Sequence, residues 1–182
     1  MQATEERLLL ERAGACDEAA LGELYDRYAG KIYNYIFYRV GDPDLAEDLT
    51  ASVFIKVLDA LKSSKGWQSS FSGWLYRIAH NAVVDHFRRQ EQEKVLPLDE
   101  QIVAAFDDPV AAAERALSAE AIRAALNALT EEQQQVVIYK FIEGLSNLQV
   151  AEIMGKTEGA IKSLQYRALA ALRRHLEGNS RK

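Results

Sequence analysis

The stretch that decides the fold is LTEEQQQVVIYKFIEGLSNLQVAEIMGKTEGAIKSLQYRALAALRR, Leu129 to Arg174. Thr130 and Gln133 stand three residues apart ahead of Val136, Val137 and Phe141. That is a capping-box pattern, in which a hydroxyl and an amide each satisfy a backbone N–H group at a helix start. Gly144 ends this helix. Ser146 and Gln149 repeat the box and open a short helix, Asn147 to Met154, closed by Gly155. Thr157 caps a last helix that runs to about Leu176. A short helix and a long one joined by Gly155-Lys156-Thr157 have the layout of a helix-turn-helix.

In the last helix Ile161, Leu164, Ala168 and Leu172 follow at spacings of three, four and four. At about 100° per residue they share one face. Lys162, Ser163, Tyr166 and Arg167 fall on the opposite face, near the helix start. These residue types suit entry into a major groove: Arg and Lys for guanine edges or phosphates, Ser for either, Tyr for a thymine methyl or a sugar. Thr157 and the first backbone N–H groups can seat a phosphate at the positive end of the helix dipole.

Upstream, Leu21, Leu24, Tyr25, Tyr28, Ile32, Tyr35 and Ile36 keep helical spacing and predict a long apolar stripe. Gly41-Asp42-Pro43 breaks it, with Asp42 as the next cap and Pro43 at the first helical position. The following helix carries Leu45, Leu49, Val53, Val57 and Leu61 on one face. Asp48, Ala51, Ser52 and Ile55 lie on a different one. A loop over 62–70 leads to a helix through Phe71, Trp74, Leu75, Ile78, Ala82 and Phe87. Sustained period-two alternation is lacking, so an all-α protein is expected.

Trp67, Phe71, Trp74 and Tyr76 cluster about that loop and helix start, with Arg77, Asn81, Arg88 and Arg89 further along. Rings interleaved with cations and amides suit single-stranded DNA, whose unstacked bases lie on aromatic faces. Phe71, Trp74 and Ile78 also share a face, as packed core would. The core reading is preferred for Trp74 and Phe71, while Trp67, in a Ser/Lys loop, does not fit it. Trp67 and Phe71 stay among the candidate contacts.

Between these halves, residues 90–109 read as a linker, charged and marked by Pro97 and Asp107-Asp108-Pro109. From Glu91 to Glu120 eight acids oppose only Lys94 and Arg115. From Gly159 to Lys182 six cations oppose only Glu177. The net charge of −5 thus hides an acidic middle and a basic end. With 182 residues, 48% of them hydrophobic, the chain can hold one ordinary domain or two small ones. No apolar run approaches a membrane span, and the start has no secretory cleavage pattern. Cys16 stands alone. His80, His86 and His175 have no metal-ligand spacing, and no phosphate loop or nucleophile motif occurs. The expectation is a soluble cytoplasmic protein that is not an enzyme, with no membrane insertion, no metal, no cofactor, no catalytic residue and no small-molecule substrate.

The stretches AEDLTASVFIKVLDAL (46–61), FSGWLYRIAHNAVVDHFRR (71–89) and Leu129 to Arg174 resemble regions two and four of an extracytoplasmic-function (ECF) sigma factor of the sigma-70 family. The resemblance implies two small helical domains joined by an acidic flexible linker, at 1–90, 91–116 and 117–182. It implies core RNA polymerase, promoter DNA and an anti-sigma factor as partners. By position it assigns Lys162, Ser163, Tyr166 and Arg167, with Thr157, to the minus-thirty-five element. Asn81 and the Lys65-to-Ser72 loop match the minus-ten pocket, which brings in Trp67, Phe71, Arg77 and Arg88. Asp48, Val53, Phe54 and Val57 match the clamp-binding helix, and Asp48, Ala51, Ser52, Phe54 and Ile55 are the candidate polymerase contacts. Ala51 and Ser52 depart from the family, which usually has Gln and then an acid there.

Two other readings compete. A conventional helix-turn-helix regulator would bind duplex DNA without polymerase and would not need Asn81 or the loop aromatics. A helical adaptor would touch no DNA, which the basic end and the polar face of the last helix oppose.

Overall fold

A computed structural model describes residues 2–62, 70–93 and 120–179. All the regular structure among them is helical. Helix α1 spans Gln2–Gly14, α2 Glu18–Val40, α3 Pro43–Lys62 and α4 Phe71–Glu93. Helix α5 covers the described residues 120–127. It is followed by α6 (Glu131–Val137), a π turn (Ile138–Ile142), α7 (Asn147–Met154) and α8 (Glu158–Asn179). Most of the predicted linker and the loop residue Trp67 lie outside the described residues.

The helix ends are fixed by side chains with the right reach. Asp17 accepts hydrogen bonds from the Ala19 and Ala20 N–H groups at 3.0 and 3.2 Å and starts α2. Asp42 accepts from the Leu45 N–H at 3.0 Å, and Pro43, which has no N–H to leave orphaned, begins α3. Ser70 does the same for α4 through the Gly73 N–H at 3.2 Å. Both capping boxes form, Thr130 with Gln133 and Ser146 with Gln149. Gly41 closes α2 at φ 80°, where an L side chain is strained. A Cβ there would also collide with the Arg123 side chain, whose guanidinium donates to the Gly41 carbonyl.

The first four helices pack Leu24, Tyr28, Ile32, Tyr35 and Ile36 of α2 against Val53, Val57 and Leu61 of α3 and Leu75, Tyr76, Ala79 and Val83 of α4. The remaining helices pack Leu126, Leu129, Val136, Val150, Ile153, Ile161, Leu164 and Ala168. Tyr25 departs from the expected stripe: it is 51% exposed, with its ring edge-on to Phe54 at 5.0 Å between centroids. The π turn, where the Glu143 N–H reaches back to the Ile138 carbonyl at 3.0 Å, keeps Ile138 and Tyr139 buried and leaves Phe141 52% exposed. Helix α4 runs three residues past the predicted domain boundary at 90, to Glu93.

The two halves are not held apart. The rings of Tyr35 and Tyr139 stack at 5.1 Å, and Tyr76 meets Tyr139 edge-on at 5.2 Å, so one buried aromatic group joins α2, α4 and the π turn. Helix α7 lies along α4, where Ile153 approaches Gly73.

Candidate nucleic-acid interface

Helix α8 presents the face its spacing predicts. Ile161, Leu164 and Ala168 are buried, and Lys162, Ser163, Tyr166 and Arg167 are exposed, Tyr166 by 77%. The polar groups are held in loose local contacts. Lys162 Nζ lies 3.2 Å from Glu158 Oε1, an exposed pair of small energetic worth. Ser163 Oγ donates to the Gly159 carbonyl at 3.0 Å, and Arg167 Nε to the Ser163 carbonyl at 3.3 Å. A phosphate or base edge can displace each without unpacking the helix. Thr157 Oγ1 accepts from the Ala160 N–H at 3.2 Å, so its hydroxyl already serves as the cap.

The turn before α8 is equally determined. Gly155 adopts φ 63°, ψ 35°, the left-handed conformation that ends α7, and its N–H returns to the Ala151 and Glu152 carbonyls. Val150, Ala151 and Ile153 bury α7 against α8 and α4. Helices α7 and α8 are therefore a rigid pair with a polar outer face.

On α4 the predicted residues divide. Arg77, Asn81 and Arg88 are exposed. Arg88 Nη2 lies 3.1 Å from Asp85 Oδ1. Phe71 is only 3% exposed, packed edge-on to Tyr28 at 5.4 Å and tilted against Trp74 at 5.8 Å. Its ring belongs to the core, which corrects its place among the DNA contacts. An apolar ring at the first position of a helix, four residues before the buried Leu75, faces inward with it. Tyr76 is likewise buried, its hydroxyl donating to Glu143 Oε2 at 3.1 Å. Burial, reinforced by the Glu143 charge, raises the Tyr76 pKa, and burial raises that of Glu143.

Arg77 is exposed but engaged. Its Nη2 donates to the Glu152 carbonyl at 2.8 Å and its Nε to the Ile153 carbonyl at 3.2 Å. These are carbonyls of the last turn of α7, where the negative end of the helix dipole lies. A cation from the first domain thus caps a helix of the second.

The third group lies on α3. Asp48, Ala51 and Ile55 are exposed, Ile55 by 60%, while Ser52 and Phe54 are half-buried. Val53 and Val57 face the core instead. The expected separation of faces holds, and Tyr25, which the stripe pattern assigned inward, extends the exposed apolar surface beside Phe54. The signal for Tyr25 was faint: Leu21, Leu24 and Tyr28 already complete the inward face without it.

Sequence reasoning also missed the contacts between the halves, because no local pattern announces a partner many residues away. Arg39 Nη2 meets Glu131 Oε1 at 3.0 Å, with the Arg39 side chain 6% exposed. His80 Nδ1 lies 3.1 Å from the Tyr35 hydroxyl and 3.2 Å from Gln135 Nε2. Burial and the neighbouring Arg39 lower the His80 pKa, against the opposing pull of Glu131. Within the second half, Lys156 Nζ pairs with Glu132 Oε1 at 2.7 Å beside this seam. A cavity of about 300 Å³ opens among Arg77, His80, Glu131, Gln135, Ile153 and Lys156. Among the described residues no group of His, Cys, Asp and Glu has the makings of a metal site. No helix among them is long and apolar enough to cross a membrane.

An all-helical protein with a helix-turn-helix whose second helix presents an exposed cationic face has the geometry of a nucleic-acid-binding protein. Comparison with known families makes the class specific. Residues 24–93 match Sigma-70 region 2, and residues 119–172 match Sigma-70, region 4. The ECF RNA polymerase sigma factor BldN of Streptomyces coelicolor is 39% identical over 175 residues, covering 95% of this chain and 66% of BldN. The ECF RNA polymerase sigma factor SigX of Bacillus subtilis is 34% identical over 160 residues, covering 85% of this chain and 82% of SigX. Among solved structures, CnrH in complex with the cytosolic domain of CnrY superposes with a TM-score of 0.73. That match covers 94% of this chain and 97% of CnrH at 22% identity, so it shows a shared fold. This chain belongs to the ECF sigma factors of the sigma-70 family.

Proposed function

We propose that this protein acts in the cytoplasm as a non-enzymatic, alternative sigma factor that binds core RNA polymerase and directs promoter-specific initiation. Region 2 engages core through the α3 face of Asp48, Ala51, Ser52, Phe54 and Ile55. Arg77, Asn81 and Arg88 on α4, with the loop carrying Trp67, then engage the opened minus-ten element. Region 4 reads the minus-thirty-five element as duplex with Lys162, Ser163, Tyr166 and Arg167. An anti-sigma factor is the regulatory partner expected of the class.

The observation that carries this reading is the coexistence of two exposed faces of different chemistry. On α8 a polar, cationic face stands opposite the buried Ile161, Leu164 and Ala168. On α3 the uncovered face sets Ala51 and the 60% exposed Ile55 among the acids Asp44, Asp48 and Asp59. The first suits DNA and the second suits a protein partner. A regulator that binds DNA alone has use for the first face only.

Run-off transcription with core polymerase over a genomic fragment library tests the proposal. Discrete transcripts that need both core and this chain are the expected result. Tight, sequence-specific DNA binding by the chain alone, with no transcript on adding core, would overturn it in favour of a conventional regulator.

A further inference from the structure

The seam between the two halves is built around one imidazole. His80 projects from α4 into a half-buried position where three other elements converge. From α2 come Tyr35 and Arg39. From α6 come Glu131, Glu132 and Gln135, and the π turn adds Tyr139. Lys156 approaches from beyond α7, and Arg77 lies on α4 itself. Helix α3 turns uncharged side chains inward, among them Thr50, Val53, Val57 and Leu61.

The surroundings favour a neutral ring. The Tyr35 hydroxyl lies 3.1 Å from Nδ1, and Gln135 Nε2 lies beside the ring, 3.2 Å from Nδ1 and 3.5 Å from Nε2. Half-buried among these uncharged groups, a protonated ring loses hydration that they do not replace. The acids nearby cannot absorb the new charge cheaply. Glu131 is held by Arg39 at 3.0 Å and stands 3.9 Å from His80 Nε2, while Glu132 is held by Lys156 at 2.7 Å. Arg39, Arg77 and Lys156 already place three cations around the site.

We propose that His80 is a proton-sensitive catch: the closed arrangement of the two halves is stable with a neutral imidazole and loosens when the ring is protonated. The consequence follows from Arg77, which caps α7 only while the seam is closed. Opening frees Arg77 and the α4 face for DNA. That consequence rests on the sigma reading, whereas the proton dependence of closure does not.

The direction of the pH effect is fixed by the lowered pKa of His80 in the closed form. In the open form the ring is solvated and titrates near the ordinary value of about 6.5. Closure is therefore undiminished above that value and weakens as the pH falls below it. The weakening levels off once the pH passes below the closed-form value. Between the two values, one proton changes the ratio of closed to open molecules by up to about tenfold per pH unit.

The full chain supplies its own probe site in the exposed Cys16, and Ala170→Cys on the outer face of α8 supplies the second. Energy transfer between dyes at these positions reports closure without DNA or polymerase. From about pH 8 to about pH 5.5, spanning the histidine range, transfer should fall while far-ultraviolet circular dichroism stays unchanged. In His80→Gln the fall should vanish, and in His86→Gln it should persist. Constant transfer in the native sequence, an equal fall in His80→Gln, or a fall that tracks loss of helicity would each overturn the proposal. An NMR titration of the unmodified chain gives a check independent of the variants. The His80 ring should titrate below an ordinary histidine, and a midpoint at or above the ordinary value would also overturn it.

Discussion

Arg77 and Glu152 lie 75 residues apart in the chain, yet the Arg77 guanidinium donates to the Glu152 carbonyl at 2.8 Å. The same guanidinium is one of the three exposed minus-ten candidates on α4. It cannot satisfy a helix end and a DNA strand at once. The free protein should therefore bind promoter DNA poorly, and core polymerase should create salt-sensitive, sequence-specific binding by holding the halves apart. Fluorescence anisotropy with labelled promoter, with and without core and across a salt series, measures this. Equal affinity in both cases would mean that the seam does not compete with DNA.

Arg167 is exposed on the α8 face and donates to a carbonyl of its own helix. Its side chain is available without unfolding. Arg167→Ala should weaken promoter binding by the complete initiation complex by about 1–3 kcal/mol if the guanidinium reads a base edge. The loss should concentrate at one position of the minus-thirty-five element, which a panel of single-base promoter variants would reveal. A uniform loss would make Arg167 a phosphate contact instead.

Asn81 sits one helical turn beyond Arg77 and is exposed. Asn81→Ala should slow open-complex formation on duplex promoters, since unpairing a base costs a few kcal/mol that a pocket must offset. On a template already melted across the minus-ten element the defect should shrink. Permanganate footprinting on both templates separates the cases. Equal defects would point to general affinity or folding, not to strand opening.

How much of this was legible in the sequence depended on range. Thr130, Ser146, Asp42 and Thr157 cap the helices they were expected to cap, because a cap is a matter of three or four neighbouring residues. The buried and exposed faces of α8 follow from periodicity alone. Phe71 was ambiguous, since a ring at a helix start serves a core or a base equally well until burial is known. Tyr25 was misplaced because periodicity says which face a residue shares, not whether another element covers it. The seam of Arg39, Glu131, His80 and Gln135 was invisible. Each of its contacts joins elements from different halves of the chain, and each residue alone reads as an ordinary polar surface position.

The final expectation concerns α3, where the sequence departs from its family. Ala51 and Ser52 stand where a Gln and an acid are usual, and Ala51 is exposed beside Asp48 and Ile55. The polymerase contact here should then rest on apolar burial by Ile55, Phe54 and the neighbouring Tyr25, together with the charge of Asp48. Because Ala51 faces solvent, a longer side chain meets no packed neighbour in the free protein. Ala51→Gln should leave the fold intact and either leave core binding unchanged or tighten it by about 0.5–1.5 kcal/mol, the net worth of one hydrogen bond. Asp48→Ala should weaken it by about 1.5–3 kcal/mol if the partner group is charged. Competition against a labelled reference sigma factor for core polymerase measures both. Loss of core binding in a folded Ala51→Gln variant would show that the polymerase packs directly against the Ala51 methyl. The apolar part of the interface would then extend across the whole exposed face of α3, and Asp48 would sit at its rim.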